Sequence, residues 1–372
     1  MSSRLLRFLV MVSAFLAVSS AYVGSRVVER LPLAASHERA VWLTLAAFVA
    51  LQFAGPLIYR AFPARRRRLV VLHWITYATL GIFFCVLFYT LAADVLVMVL
   101  GLTLGPGRLD EAVFACAAAL VVATVAIGFP QAALGPRIYR VDVPLPGLAA
   151  GLEGFRIVQI SDLHIGPLIG RRYAEQVVQL ANSLSADAIA FTGDFVDGQP
   201  AELRDSVEPL AGLRAKHGVF FITGNHEYYS GVELWVREFR RLGARTLLNE
   251  HALLRNDGAE LVIAGVTDYL PDHAKAAAGA PAGAIKVLLA HHPEGLDEAL
   301  AAGFHLQLSG HTHGGQFFPF SVLVRLRHRY YKGLYRVGRL WLYVSRGTGY
   351  WGPPLRFGVP SEITLITLKT GP

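Results

Sequence analysis

Residues 310–316 read GHTHGGQ. Two histidines two positions apart, set among three glycines in a run of seven residues, are too concentrated for ordinary loop composition. They directly follow FHLQLSG, a β-rich run that is typical of a buried strand. Glycine lets the backbone bend closely around the two imidazoles, so each can face a different ligand. The stretch therefore predicts a binding site at a strand end, with His311 and His313 as members.

Four other β-rich runs end in polar side chains in the same way. These residues are Asp162 and His164 after FRIVQIS, Asp194 after AIAFTG, Asn225 and His226 after VFFITG, and His291 after IKVLLA. Ligands of open α/β sheets bind at the carboxyl ends of the strands, because the loops converge there. We therefore expect residues that are far apart in the sequence to meet at one site.

The alternation of β-rich and helical patterns from Phe155 onward predicts the fold. Further β-rich runs are LVIAGV, LWLYVS and EITLITL, and helical patterns cover Arg171–Leu184, Ala201–Lys216, Val232–Leu242 and Glu294–Ala301. This alternation favours an α/β or α+β layered domain whose helices cover the sheet faces. The preceding PRIYRVDVPLPGLAAGLEG is rich in proline and glycine and is either a linker or an edge strand. The alanine-rich segment 274–284 is expected to be an exposed loop.

The donor set of the predicted site consists of carboxylates, an amide and imidazoles, without thiolate. Such ligands suit divalent Mn, Fe, Zn or Co rather than a cysteine-type structural zinc. Seven residues are too many for one tetrahedral ion, whereas two ions that share a carboxylate accommodate them: Asp162, His164, Asp194, Asn225, His291, His311 and His313. In AHHP, His291 and His292 both offer an imidazole. Asp268 is either close to the site or a solvated turn residue.

The N-terminal part of the chain has a different character. Hydrophobic residues make up 53% of the 372 residues, and the excess lies almost entirely before about residue 135. Four apolar stretches approach the roughly 20 residues that cross a bilayer: Leu5–Val23, Ala40–Tyr59, Leu69–Leu91 and Ala112–Phe129. The first could instead be a secretory signal, because AVSSA offers small residues at its end.

Basic residues in the short loops predict the orientation in the membrane. Nine arginines fall on one side: Arg4, Arg7, Arg60, Arg65, Arg66, Arg67, Arg68, Arg137 and Arg140. Four fall on the other: Arg26, Arg30, Arg39 and Arg108. The larger set is expected in the cytoplasm, together with the C-terminal domain. The stretch 69–104 is longer than one pass requires and contains Asp94, and an extra crossing there would move the domain outside.

The net charge of +8 does not require a nucleic-acid partner, because many of the basic residues orient helices or meet anionic lipid. No nucleic-acid binding is expected, and membrane lipids are the expected partner. The segment 317–335, FFPFSVLVRLRHRYYKGLY, combines six aromatic with four basic residues directly after the histidines. It is either a lip that dips into lipid headgroups or a set of core residues under a hairpin.

The order of the motifs D-x-H, GD, GNH, H and GHxH resembles that of the calcineurin-like metallophosphoesterase superfamily. The resemblance covers residues 153–370, and the words QISDLHIG, FTGDFVDG, ITGNHEYY and SGHTHGGQ look like its membrane-associated bacterial branch. It implies two facing mixed β-sheets flanked by helices, with a dimetal site at the strand ends. It also implies hydrolysis of a phosphoric ester by a water held between the two ions.

Carried over position by position, the family pattern implies a role for each residue. One ion would take Asp162, His164, Asp194 and His313, and the second would share Asp194 and add Asn225, His291 and His311. His291 is preferred to His292 because the family pattern is His, any residue, then Pro. His226 would act as general acid or stabilise the transition state.

The sequence thus predicts a membrane protein with a catalytic domain that faces the cytoplasm, in the cell membrane of a bacterium. About four transmembrane helices occupy residues 1–135, a linker 136–152, and the phosphoesterase domain 153–372. The reaction is hydrolysis of a phosphodiester, phosphomonoester or pyrophosphate. Tethering to a bilayer favours a lipid-linked substrate, and UDP-diacylglucosamine is one candidate. The alternative is a non-catalytic, membrane-tethered metal-binding module.

Overall fold

The computed structural model describes residues 3–30, 33–62, 66–104, 107 and 109–371. Backbone contacts divide the chain into two compact units. The first comprises Met1–Gly128 and Gly352–Pro354, and the second comprises Phe129–Trp351 and Leu355–Pro372.

Four long helices form the N-terminal part: α1 (Ser3–Arg30), α2 (Ala35–Ala61), α3 (Arg66–Leu104) and α4 (Asp110–Ala133). All four are long and apolar enough to cross a membrane, which confirms the predicted helical membrane region. Helix α1 runs without a break through AVSSA. Helix α3 is one continuous helix of 39 residues, so the stretch 69–104 contains no turn at which the chain could cross back.

Asp94 of α3 is part of a group of charged residues. Its Oδ2 lies 2.7 Å from Arg26 Nε and accepts a hydrogen bond of 2.5 Å from Tyr22, both on α1. Arg30 of α1 lies 3.8 Å from Asp94 and 3.2 Å from Asp110 of α4. Partial burial weakens the screening of such pairs by water. The carboxylate of Asp94 is therefore neutralised by arginines of a neighbouring helix, which connects α1, α3 and α4.

The second unit contains two mixed sheets of six strands each. The first sheet has the order β1 (Arg137–Leu145), β12 (Glu362–Thr370), β2 (Arg156–Ile160), β3 (Ala188–Thr192), β4 (Val219–Ile222) and β5 (Ala244–Thr246). The second sheet has the order β10 (Gly333–Val337), β11 (Leu340–Val344), β9 (Leu306–Ser309), β8 (Ile285–Leu289), β7 (Ala259–Gly265) and β6 (Glu250–Asn256). These are the two mixed sheets that the resemblance implied.

Parallel pairing aligns the strand ends that carry the polar residues. Strands β2 to β5 are parallel, and so are β7, β8, β9 and β11. Ile160 pairs with Phe191 and Thr192 with Ile222, so β2, β3 and β4 end at one level. Leu289 pairs with Leu308, which brings the ends of β8 and β9 together. The predicted site residues therefore start from neighbouring strand ends.

Helices cover the outer faces of both sheets. They are α5 (Arg171–Ser183), α6 (Pro200–Val207), α8 (Val232–Arg241), α9 (His273–Ala277) and α10 (Leu296–Ala301). Two further helices, α7 (Asn225–Tyr229) and α11 (Phe320–Arg327), follow the strand ends of β4 and β9. Trp235 and Phe239 of α8 pack in a core against the first sheet, and Ala299 of α10 packs against the second. A third core lies between the sheets and includes Phe220 and Val287. Burying one such large apolar side chain stabilises the fold by about 1.5–3 kcal/mol.

Two segments for which the sequence suggested a linker or a loop contain regular secondary structure. Residues 137–145, for which linker and edge strand were both open, form the edge strand β1, paired in parallel with β12. The expectation of an exposed loop over 274–284 is wrong for its first residues, because α9 covers His273–Ala277 and Ala276 is fully buried. Asp272 caps this helix by accepting a hydrogen bond from the Lys275 main chain.

Close approach of two loops requires a glycine at position 310. A Cβ atom at Gly310 would overlap the hydroxyl of Ser161 and the carboxylate of Asp162. We expect Gly310→Ala to destabilise the protein by about 1–3 kcal/mol, because overpacking forces the loop after β2 to move. The measurement is the thermal unfolding midpoint of the detergent-solubilised protein.

Gly283→Ala is the matched control, because a Cβ atom at Gly283 meets no atom within 4 Å. We expect no change in the unfolding midpoint for this variant. Equal midpoints for both variants would show that the two loops do not depend on this approach.

Candidate metal centre

The first group of predicted ligands joins the loops after β2 and β9. His164 Nε2 lies 3.0 Å from His313 Nε2, and His313 Nε2 lies 3.4 Å from Asp162 Oδ1. The Asp162 carboxylate is also held from behind, since the main-chain N–H of His311 donates to it at 2.9 Å. All three ligand-type side chains are buried. They converge on one point, as a shared cation requires.

The second group contains the remaining predicted residues. His291 Nε2 lies 3.1 Å from Asp194 Oδ2, and His311 Nδ1 lies 3.1 Å from Asn225 Oδ1. The ligand atoms of Asp162, Asp194 and His291 all lie within 4.8 Å of one another, so the two groups are neighbours. The structure thus brings together all seven side chains for which the sequence predicts ligand roles.

Several of these residues have a backbone conformation that L-amino acids rarely adopt. The φ angles are 52° at Asp162, 51° at His164, 57° at Asp194, 67° at His311 and 51° at His313. Left-handed backbone at residues other than glycine costs of order 1–3 kcal/mol each and persists only where the surroundings enforce it. Such a concentration at one place is typical of a functional site.

Hydrogen bonds on the outer ring nitrogens prepare two histidines for a cation. His291 Nδ1 lies 2.8 Å from the Thr192 carbonyl oxygen, an acceptor only, so Nδ1 carries a proton. Nε2 of this buried ring faces Asp194 Oδ2 at 3.1 Å and is the nitrogen that would offer its lone pair to an ion. Likewise, His164 Nδ1 lies 3.2 Å from Asp197 Oδ1, which leaves Nε2 facing His313. Metal-binding histidines are commonly oriented in this way, so the residues fit divalent ions.

The electrostatic interactions among the candidate ligands also favour the binding of cations. Burial would lower the pKa of His291, but the adjacent Asp194 outweighs this effect and raises that pKa to about 10. Burial would raise the pKa of Asp194, but His291, His164 and His226 together lower it. Burial and the positive charge of His291 lower the pKa of His311 to about 3. The Asp194 carboxylate thus attracts positive charge, and a divalent ion would compete with protons for this position.

His226 lies beside the ligands and contacts a carboxylate that the sequence analysis did not identify. His226 Nδ1 lies 2.5 Å from Asp197 Oδ1, and His226 Nε2 lies 3.9 Å from Asp194 Oδ2. The main-chain N–H of His226 donates to Asp194 Oδ1 at 2.8 Å. Asp197 therefore fixes two imidazoles, those of His164 and His226, with one carboxylate.

The side chain of Glu227 holds together the loops that follow β3 and β4. Its fully buried carboxylate accepts hydrogen bonds from the main-chain N–H groups of Gly224 at 2.7 Å, Asp194 at 2.9 Å and Phe195 at 2.7 Å. Burial, and then the charge of Asp194, raise the pKa of Glu227 to about 8. One side chain thereby joins the loop after β3 to the start of α7.

Comparison with known proteins shows to which family the chain belongs. The model of the calcineurin-like phosphoesterase domain matches residues 155–315. A zebrafish (Danio rerio) transmembrane protein with metallophosphoesterase domain is 33% identical over 98% of this chain and 89% of its own length. The chain belongs to the calcineurin-like metallophosphoesterases. It is thus a metal-dependent phosphoric ester hydrolase and a membrane protein.

Other relatives of this metallophosphoesterase come from distant organisms. The bovine (Bos taurus) transmembrane protein with metallophosphoesterase domain is 37% identical over 69% of this chain, which spans 63% of that protein. An uncharacterized metallophosphoesterase of Campylobacter jejuni is 32% identical over 77% of this chain and 79% of its own length. The resemblance that the motifs indicated is therefore confirmed, and the relatives include animal as well as bacterial proteins.

The phosphoesterase site has neighbours that the sequence analysis missed or placed elsewhere. The sequence analysis assigned no role in the site to His292 or His328, but the His292 ring lies 3.7 Å and the His328 ring 6.3 Å from the His311 ring. Asp268 does lie beside the site, with Oδ1 3.2 Å from His292 Nε2. The buried Arg356 lies 3.2 Å from His313 Nδ1. The second aspartate of GDFVDG could have indicated a role for Asp197. No motif in the sequence indicated a role for Arg356.

Asp197→Asn tests whether this carboxylate orients His226 for proton donation. We expect kcat to fall by about 10²-fold for an alkyl phosphodiester, whose alkoxide leaving group needs a proton. The loss should be much smaller for a nitrophenyl ester, because nitrophenolate leaves without one. The measurement is kcat for both esters at equal metal content.

Asp205→Asn is the control, since Asp205 is an exposed aspartate on α6, and it should leave both rates unchanged. Equal losses for the two esters in Asp197→Asn would contradict orientation of His226 and indicate an effect through His164 instead.

Proposed function

We propose that this chain is a membrane-anchored dimetal phosphoesterase that cleaves a phosphodiester, phosphomonoester or pyrophosphate bond of a lipid-linked substrate. The observation that carries the proposal is the convergence of seven ligand-type side chains from both sheets. Asp162, His164, Asp194 and His313 would hold one divalent ion. Asp194, Asn225, His291 and His311 would hold the other.

The ions are proposed to be Mn, Zn, Fe or Co, because oxygen and imidazole donors suit all of these. When bound, a pair of such ions supplies an activated water and neutralises charge on the phosphoryl oxygens. The buried ligands exclude bulk water and so strengthen each electrostatic interaction in the site.

His226 is proposed to protonate the leaving oxygen. Its Nδ1 is occupied by Asp197 at 2.5 Å, so Nε2 is the nitrogen that can serve the substrate. Burial would lower the pKa of His226, but the hydrogen bond to Asp197 and the charge of Asp194 raise it. Asp197 thereby keeps the ring protonated and oriented until the oxygen departs.

Two exposed aromatic residues flank His226 and indicate the nature of the leaving group. The Tyr229 ring lies 5.4 Å and the Trp351 ring 5.6 Å from the His226 ring, both edge-on. Gln316 holds the backbone of Trp351 through two hydrogen bonds, so the indole is anchored to the turn that carries His313. Exposed aromatic faces beside a proton donor favour an apolar or aromatic leaving group.

The setting of the domain supports a lipid-linked phosphate, of which UDP-diacylglucosamine is one candidate. We place the membrane region within residues 1–135 and the catalytic residues within 153–372, in a domain whose first sheet also includes β1 (Arg137–Leu145). The nine-to-four distribution of arginines near the ends of the four helices and the unbroken α3 favour a domain on the cytoplasmic face of the membrane, which we propose to be a bacterial cell membrane.

Removal and return of metal test the proposed chemistry. We expect protein stripped of metal to be inactive towards a chromogenic phosphodiester, and Mn, Zn, Fe or Co to restore hydrolysis. Asp194→Asn should abolish activity with every ion, because the shared carboxylate is lost. The measurements are initial rates and bound metal per chain.

Two ions bound per chain without hydrolysis of mono- or diesters would count against a general phosphoesterase. One ion per chain at full activity would contradict the dimetal assignment.

Trp351→Ala tests the apolar side of the site. We expect KM for an aryl phosphodiester to rise by about tenfold, since loss of one aromatic contact costs about 1.4 kcal/mol, with little change in kcat. A dimethyl phosphodiester provides the comparison, and its KM should not change. An equal change for both substrates would contradict contact between the indole and the leaving group.

A further inference from the structure

The segment from Phe317 to Tyr331 is attached at both ends to the turn that carries His311 and His313. At its start, Ser321 of α11 packs so closely on Gly315 that a Cβ atom there would overlap it. Phe317 is buried and stacks on Phe320 at 5.7 Å. At its end, the carbonyl of Tyr331 accepts a hydrogen bond of 2.6 Å from Thr312 Oγ1. A displacement of the segment would therefore move the turn.

Helix α11 between these two ends has no buried residue. Leu323 is 51% exposed and Leu326 80% exposed, and Val322 is also exposed. Residues 322 and 326 are one helical turn apart, and Leu323 lies next to them on the helix surface. Three large aliphatic side chains therefore share one exposed face within two turns.

Basic residues accompany this apolar face. Arg325 and Arg327 are exposed in the last turn of α11, and Arg329 is exposed two residues after its end. The sequence contains no aspartate or glutamate from residue 299 to residue 361, whereas it contains eight lysines and arginines there. Glu294 lies 3.4 Å from His328, the residue directly after the helix. An apolar face bordered by three exposed arginines complements an anionic, partly apolar surface.

Residues 317–335 were predicted to be either a lip in the lipid headgroups or core residues under a hairpin. The burial of the aromatic residues distinguishes between these alternatives. Phe317 is buried, and Tyr330, Tyr331 and Tyr335 are half-buried, with the Tyr330 and Tyr335 rings 5.0 Å apart. These residues form the base of the segment. The exposed aliphatic face of α11 is not part of a core among the described residues, so the core reading holds for the base only.

We propose that α11 lies in the headgroup region of the anionic bilayer in which the chain is anchored. Its aliphatic face enters the boundary between headgroups and acyl chains, and its arginines bind lipid phosphates. Since α11 is attached to the His311–His313 turn, this contact presents the metal centre to phosphate groups at headgroup level. The substrate class is therefore a phosphoester of a membrane lipid, an inference that rests on the proposed function.

The depth of α11 in a bilayer tests the proposal on the full chain. A nitroxide is attached to Leu326→Cys in a Cys85→Ala, Cys116→Ala background, and the protein is reconstituted as single copies in phosphatidylcholine nanodiscs containing phosphatidylglycerol. We expect collisions of the label with a water-soluble nickel chelate to fall several-fold relative to Leu234→Cys, and collisions with oxygen to rise. Leu234 is the matched control because it is an exposed leucine of α8.

Each other outcome overturns the proposal. Equal nickel collision rates at positions 326 and 234 would mean that α11 lies in water. Loss of both nickel and oxygen collisions at position 326 would mean that protein, not lipid, covers the helix. Shielding that is the same in pure phosphatidylcholine would refute the assignment of an anionic surface.

Charge variants provide a second arm. Replacing Arg325, Arg327 and Arg329 by serine should reduce the shielding of position 326 several-fold. The same change at Arg214, Arg237 and Arg255, which are exposed elsewhere in the domain, should not. Hydrolysis of a nitrophenyl phosphodiester in the same samples reports on the active site separately. Intact hydrolysis without shielding of position 326 in the unsubstituted protein would mean that this proposal fails and the proposed function stands. Shielding without hydrolysis would mean that the proposed function fails.

Discussion

The buried carboxylate of Glu227 is the constraint on which the centre depends. By accepting N–H groups of Gly224, Asp194 and Phe195, it satisfies donors that would otherwise be buried without partners. An unsatisfied buried donor costs about 1–3 kcal/mol, so three such donors on two loops leave little freedom for the chain. The left-handed backbone of Asp194, and with it the direction of its carboxylate, follows from this attachment.

The position of the site is a consequence of two sheets packing face to face. Asp162, Asp194 and Asn225 follow strands of the first sheet, and His291 and His311 follow strands of the second. The apolar core between the sheets, with Phe220 and Val287 among its members, sets the distance between the two groups. Close packing makes this distance stiff, because interiors resist changes in volume. The candidate metal ligands are thus aligned by the apolar core that lies between the two sheets.

The seven candidate ligands could be named from the sequence because they follow five strand ends and because paired motifs such as DLH and HTH stand out locally. Glu227 and Arg356 could not, since each acts through contacts between segments far apart in the sequence, whereas Asp197 was overlooked although GDFVDG contains it. Glu227 follows a predicted ligand by two positions and looks like a surface residue until its burial is known. The edge strand β1 was ambiguous because its partner, β12, comes more than 200 residues later. Helix α11 escaped prediction because it faces no core and so has no inward apolar stripe.

The length of α3 has a consequence for the membrane in which the protein can reside. A helix of 39 residues measures about 58 Å, nearly twice the thickness of a typical hydrocarbon core. An apolar helix that exceeds the bilayer accommodates the mismatch by tilting or by locally thickening the lipid. A thicker bilayer needs less of either adjustment. The surplus turns of α3 therefore give the protein a margin for membranes of different thickness, and they favour the thicker ones.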